Sequence, residues 1–201
     1  MSEVDLIFNG GVGTYVKASH ETHADAHDRV NDGLRVDATE LACKVFGEGG
    51  NLGLTHAARI EFAQAGGAMN TDFIDNSGGV DCSDREVNLK IALSRLALTA
   101  DARAELIADL SDDVVELVLT NNRRQARALA LGEHAARRDP FGMVDLVRVL
   151  ETERGLDRDL EGLPDDREML ARGLTRPELA VVMAYAKMDI KARLVETTFD
   201  T

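Results

Sequence analysis

Apolar and polar positions divide this chain into two regimes. Over residues 4–83, short apolar runs stop at clusters rich in Asn and Gly. Val4-Asp5-Leu6-Ile7-Phe8 ends at Asn9-Gly10-Gly11, the run at 43–46 ends at Glu48-Gly49-Gly50-Asn51, and the pair Phe73-Ile74 ends at Asn76-Ser77-Gly78-Gly79. Such runs, closed by turn formers, predict strands. Between the second and third lies a helix-patterned segment, with Thr55 as its cap, Ala58, Ile60, Phe62 and Ala63 as its apolar surface and Gly66-Gly67 as its end. Strand, helix, strand is a βαβ unit with parallel strands, so the three clusters are expected at one carboxyl edge, where open α/β sheets bind ligands.

Beyond Ser83 the period becomes helical. Val87, Ile91, Ser94 and Leu98 form one stripe, and Val114, Leu117, Val118 and Leu119 another. Ser111-Asp112-Asp113 reads as a helix start with two favourable charges, and Asp37 with Glu40 as a capping box. Pro140-Phe141-Gly142 and Leu163-Pro164-Asp165-Asp166 read as breaks. The last helix is the best punctuated, with Thr175 and Glu178 as a capping box, Leu174 and Leu179 as a hydrophobic staple, and Leu179, Val182, Met183, Ala186 and Ile190 as its buried face. The expected class is therefore α/β: about three parallel strands over residues 1–83, then an all-helical region over residues 84–201.

Composition narrows the function. With 201 residues and 44% hydrophobic content, the chain can bury one sizeable core or two small ones. Its 23 Lys and Arg against 36 Asp and Glu leave a net charge of −13, a field that repels phosphate backbones, and aromatic residues are 4%, so nucleic acid is not an expected partner. Cys43 and Cys82 show no CxxC spacing, which predicts a reducing compartment, and Cys82, with no His or cationic neighbour to activate it, is read as a packed small side chain. An acidic start, Met1-Ser2-Glu3-Val4-Asp5, lacks the basic segment of a signal peptide, and no run of apolar residues is long enough to span a membrane, so a cytoplasmic location is expected.

His20, His23 and His27 could share a helical face, but without Cys or a firm carboxylate partner a solvated connector is the better reading, and no metal site is assigned. Gly10-Gly11-Val12-Gly13 lacks the final glycine of a GxGxxG loop. Asn51 and Asn76 each offer an acceptor and two donors, yet Asn also closes strand ends in left-handed turns. Ser83 with Glu86 also fits a helix cap. Asp72, Asp75, Asp81 and Asp84 are read as solvated or capping carboxylates.

At EGGN, followed by TDFIDNSGGVDCSDREVN, the chain resembles the glutamate dehydrogenases, and specifically the very large NAD-specific bacterial class; DLIFNGGVGTYVKAS, RVNDGLRV and GLTRPELAVVMAYAK extend the likeness over nearly the whole chain. The resemblance implies a partial Rossmann-like, dinucleotide-binding domain over residues 1–83, a carboxyl-terminal helical domain over residues 84–201, and NAD as cofactor. It implies that Asn51 and Gly50 lie near the nicotinamide ribose, that Asn76 faces the carboxamide, and that Asn9 and Gly10 run past the adenosine ribose. Val80 and Ser83 would line the amino-acid pocket. Ser77 and Cys82 depart from the residues usual in the wider superfamily.

The implied reaction takes L-glutamate, NAD and water to 2-oxoglutarate, ammonia and NADH. The family's glycine fingerprint and catalytic Lys and Asp have no counterpart here, so no catalytic residue is assigned. The chain is expected to be the carboxyl-terminal part of such an enzyme, inactive alone, working with the remainder of the dehydrogenase chain in a homo-oligomer. The rival readings are a non-catalytic helical module for assembly or regulation, and a related amino-acid dehydrogenase.

Overall fold

The computed structural model describes residues 4–197; the first three residues and the last four, which end the expected helical region, lie outside the described residues. In chain order the elements are β1 (Val4–Asn9), β2 (Val16–Lys17), β3 (Val36–Asp37), β4 (Cys43–Glu48), α1 (His56–Gln64), β5 (Ala68–Met69), α2 (Asp72–Asp75), α3 (Ser77–Ser94), α4 (Ala100–Arg138), α5 (Pro140–Arg154), α6 (Arg158–Glu161), α7 (Asp166–Arg172) and α8 (Arg176–Glu196). Three strands form one parallel sheet in the order β1-β4-β5, with Asn9 opposite Glu48 and Phe46 opposite Met69. A second, two-stranded parallel ladder joins β2 to β3.

The parallel three-stranded sheet matches the expectation, but its third member is not the expected one. Phe73 and Ile74 lie in α2, a single helical turn that opens at Thr71, while the third strand is Ala68–Met69. Two residues carry too little apolar pattern to declare a strand, and here Asp72 accepts the Phe73 N–H at 2.9 Å while the Thr71 carbonyl accepts the N–H groups of Ile74 and Asp75, which closes a helical turn. As a result Asn76-Ser77-Gly78-Gly79 is the start of α3 and not a loop after a strand.

The sheet's core is Phe46, Met69, Ala58 and Phe62, with Phe46 and Phe62 meeting edge to face at 6.5 Å, and Val16 and Leu54 closing it. Thr55 caps α1 through the Ala58 N–H at 3.1 Å, and Gly66 (φ 95°) ends that turn. Around α5 and α8 a second core gathers Val144, Val147, Leu150, Met169, Val181 and Val182. A third joins Ile74 of α2 to Leu129 of α4 and Leu179 of α8, fastening the helical region to the sheet rim. The capping boxes at Asp37/Glu40 and Thr175/Glu178 are both formed.

Four helical expectations are corrected. Ser83 does not cap a helix; it sits inside α3 and donates back to the Gly79 carbonyl at 3.1 Å. Ser111-Asp112-Asp113 opens nothing, because α4 runs unbroken for 39 residues from a cap at Thr99. Val87 and Ile91 are about half exposed, and α3 buries Leu93 instead. In α8 the buried face is Leu179, Ala180, Val181 and Val182, and Ile190 is exposed. The two expected helix starts fail because α3 and α4 run through them, while the start of α8 is buried on all sides and its end is exposed; Cys82, expected to be packed, is exposed on α3. Helix α3 also runs continuously through residues 83 and 84, where the change of pattern falls.

Candidate functional site

The carboxyl edge of the sheet is built by three chain reversals. After β1, the Asn9 carbonyl accepts the backbone N–H groups of Gly49 (2.7 Å) and Gly50 (3.1 Å), which draws the loop after β4 against the loop after β1. Any Cβ at Gly50 would lie 2.2 Å from the Gly11 carbonyl oxygen, so this approach of two backbones requires glycine. Gly10 has open space around it and is exposed. The Asn9 side chain accepts the Gly11 N–H at 3.2 Å, while its Nδ2 is buried without a partner.

A buried polar chain fixes the loop that carries Asn51. Glu48, fully buried at the end of β4, accepts from Arg59 of α1 at 2.7 and 3.0 Å and from the Leu54 N–H at 3.2 Å. Arg59 reaches on to Asp72 at 3.3 Å, and the other Asp72 oxygen accepts the Leu52 N–H at 2.8 Å. Asp75 accepts the Glu48 N–H at 3.0 Å and the Asn70 amide at 2.6 Å. Asp72 and Asp75 are thus tethers between α2 and the loop after β4. Burial pushes the Glu48 carboxyl above its ordinary value, with Arg59 opposing that rise.

Within this frame Asn76 and Asn51 come together: the Asn76 amide donates to the Asn51 side-chain oxygen. Neither takes the left-handed conformation open to Asn; that backbone (φ 58°) belongs to Leu52, whose side chain is exposed. Asn76 sits at the junction of α2 and α3, and its own N–H is held by the Asp72 carbonyl at 2.8 Å. Val80 and Ser83 follow on α3 four and seven residues later, spacings that lie on the same helical face. Val80 is exposed. Asn51, Asn76, Val80 and Ser83 therefore form one open strip running from the loop after β4 down α3, and Asn9, Gly10 and Gly50 form the adjoining rim. Ser77 faces the other way, accepting from Asn122 and Gln125 of α4 at 3.0 and 3.1 Å.

The Asn51–Asn76 contact leaves amide N–H groups and one amide oxygen outward, a complement for a carboxamide or a ribose hydroxyl. The open space at Gly10 leaves room for the edge of a flat ligand, whereas the Asn9 Nδ2 donor is buried against Gly53. Such a strip positions and does not transfer protons. A groove of about 890 Å³ lies beside it, between residues 20–27, α1 and α6, and meets the loop at Leu52 and Leu54. His20 and His27 line that groove, and among the described residues no group of His, Cys, Asp or Glu could hold a metal ion. Among the same residues, no helix is long and apolar enough to cross a membrane.

Sequence reasoning missed the Glu48–Arg59–Asp72 chain. Its one signal was Arg59, a charge placed between Ala58 and Phe62 on the buried side of α1.

A parallel sheet whose glycine-rich loops and paired amides meet on one rim, with helices packed beside it, is an α/β unit. The chain belongs to the family of the bacterial NAD-glutamate dehydrogenase catalytic domain, whose family model matches residues 1–132, and residues 171–200 match that of the glutamate dehydrogenase C-terminal region. It is similar to the NAD-specific glutamate dehydrogenases of Pseudomonas aeruginosa (52% identical over 96% of this chain), Halomonas elongata (50% over 97%) and Mycobacterium tuberculosis (45% over 96%). The chain spans about 12–13% of the length of those relatives.

Proposed function

We propose that this chain supplies the nicotinamide-facing rim and part of the amino-acid pocket of an NAD-dependent glutamate dehydrogenase. The parent reaction takes L-glutamate, NAD and water to 2-oxoglutarate, ammonia and NADH. The observation that carries the reading is the hydrogen-bonded pair Asn51–Asn76 on the shared carboxyl rim of parallel strands, in a chain of this family. NAD, when bound, accepts the hydride. Asn76 would hold the carboxamide and Asn51 with Gly50 the adjacent ribose, while Asn9 and Gly10 border the adenosine side. Val80 and Ser83 would take the substrate, with the serine hydroxyl turned from the Gly79 carbonyl to a carboxylate. Residues 1–83 act as the dinucleotide-binding part, backed by residues 84–201. The remainder of the dehydrogenase chain, a cytoplasmic setting and a homo-oligomer complete the reading.

The test is steady-state kinetics on the full-length enzyme carrying this sequence. Losing one neutral hydrogen bond of about 1 kcal/mol slows kcat/KM several-fold, and misplacing the ring adds to that. Asn76→Ala is therefore expected to lower kcat/KM for NAD tenfold or more with the thermal midpoint unchanged. Kinetics unchanged in both Asn51→Ala and Asn76→Ala would refute the assignment.

A further inference from the structure

Helices α2 and α3 meet at Asn76, where the chain bends at φ −94° and ψ 4°. A four-residue helix such as α2 cannot set its own direction, because a single turn is marginal without tertiary support. The angle between the two helices, and with it the place of the Asn76 amide, must therefore be fixed from outside the joint. On one side the tethers run from Asp72 and Asp75 to the loop after β4. On the other side α4 supplies them. The Asn122 amide donates to the Ile74 carbonyl at 3.1 Å and to the Ser77 hydroxyl at 3.0 Å. Ile74 is the third residue of α2 and Ser77 the first of α3, so one side chain ties both helices to α4 across Asn76.

The chemistry of this contact leaves little freedom. A backbone carbonyl only accepts, so the Asn122 group facing Ile74 is its NH2, whose two hydrogens serve the two acceptors. Ser77 Oγ takes a second donor, the Gln125 amide at 3.1 Å, and Lys187 of α8 donates to the Gln125 oxygen at 3.0 Å, which turns the Gln125 NH2 toward the hydroxyl. Beneath the joint, Ile74 packs in one core with Leu129 of α4 and Leu179 of α8. Further along α3, Asn121 donates to Asp81 at 2.9 Å, so the part of α3 that carries Val80 and Ser83 has its own attachment to α4. We infer that Asn122, given that Asn76 faces the nicotinamide carboxamide as proposed above, is a positioning residue for hydride transfer. It holds Asn76 in register with Asn51 by fixing the joint of α2 and α3, acting through Asn76 and not on the cofactor itself. Displacing a positioning group by about 1 Å can slow a reaction by up to about 10²-fold, so a staple outside the strip has a kinetic consequence.

The test is a double-mutant cycle in steady-state kinetics on the full-length enzyme carrying this sequence, with NAD and L-glutamate varied in turn and circular dichroism as a check on fold. Asn122→Leu keeps the size of the side chain and removes both donors. It is expected to lower kcat/KM for NAD about fivefold to twentyfold, with KM for L-glutamate unchanged. In an Asn76→Ala background the same substitution should change kcat/KM by less than about twofold, because the amide it places is gone. A side chain that only stabilised the fold would lower the thermal midpoint alike in both backgrounds and leave the kinetics of the folded enzyme unmoved. If Asn122→Leu loses helix, Ser77→Ala, which removes one of the two acceptors, should show the same dependence on Asn76 at roughly threefold. Wild-type kinetics in Asn76→Ala overturn the site reading and this inference with it. A slowed Asn76→Ala beside wild-type kinetics in Asn122→Leu, or equal losses from Asn122→Leu in both backgrounds, overturn this inference alone.

Discussion

Replacing Glu48 by Gln tests whether the buried polar chain holds the site's loop. Wild-type Glu48 receives two N–H groups from Arg59 and one from Leu54 with none of its surface exposed. The substituted amide can still accept from Leu54 through its oxygen, but its NH2 group faces an Arg59 N–H, and two donors cannot pair. Arg59, itself 5% exposed, is left with Asp72 at 3.3 Å as its counter-charge. Breaking a buried ion pair by removing one partner costs about 3–5 kcal/mol. With an isosteric amide the lower end applies, so about 3 kcal/mol is expected, a large share of a domain stability of roughly 5–15 kcal/mol. At about 2–4 °C per kcal/mol for a chain of this size, the thermal midpoint should fall by roughly 6–12 °C.

Urea unfolding followed by circular dichroism measures the free energy, and scanning calorimetry the midpoint. The double substitution Glu48→Leu with Arg59→Met should be less damaging than Glu48→Gln, since the one carboxylate it leaves without a counter-charge, Asp72, keeps the N–H groups of Leu52 and Phe73. A Glu48→Gln protein within about 0.5 kcal/mol of wild type, the range of an ordinary surface change, would refute the reasoning.

Three further outcomes follow from particular contacts. Gly50→Ala places a methyl 2.2 Å from the Gly11 carbonyl oxygen, where only backbone can give, so it should lower the thermal midpoint and weaken NAD binding in the full-length enzyme by isothermal titration; an unchanged midpoint contradicts the close approach. Thr175→Ala removes half of the capping box of α8 and should cost about 1 kcal/mol in urea unfolding, a loss that Thr175→Ser should not reproduce. His56 is held neutral, its pKa lowered from 6.5 chiefly by burial, with Arg59 adding to the effect, and its Nε2 has no partner. Because the unfolded chain takes up the proton first, stability should fall as pH drops below about 6.5 toward the folded value. His56→Phe should remove that part of the slope, and an equal slope in the variant would show that another group carries it.

How far the sequence disclosed this architecture depended on whether a local signal coincided with a tertiary one. Val4-Asp5-Leu6-Ile7-Phe8 and the run at 43–46 are long enough for the strand pattern to be read. Their Asn/Gly endings meet at one rim because parallel strands leave no alternative. Ala68–Met69 was silent because two small or flexible side chains carry no period, and its place beside β4 comes from tertiary pairing. The Asn51–Asn76 contact was legible only as two amides on one edge. That they touch follows from Asp72 and Asp75 pulling α2 onto the loop after β4, and nothing in their spacing along the chain separates a tether from a solvated carboxylate.

Helix α4 shows the converse. Ser111-Asp112-Asp113 has the residue types of a helix start, but the 3.6-residue period continues through it and three side chains cannot break 39 residues that pack on α3, α5 and α8. Once the cap is excluded, the same carboxylates need another cause. In the middle of a continuous helix they are exposed carboxylates on its solvent side, a place any hydrated polar residue can fill. What the sequence withheld was therefore the boundary, since an acid at a first turn and an acid twelve residues along a helix are written with the same letter and answer to different fields.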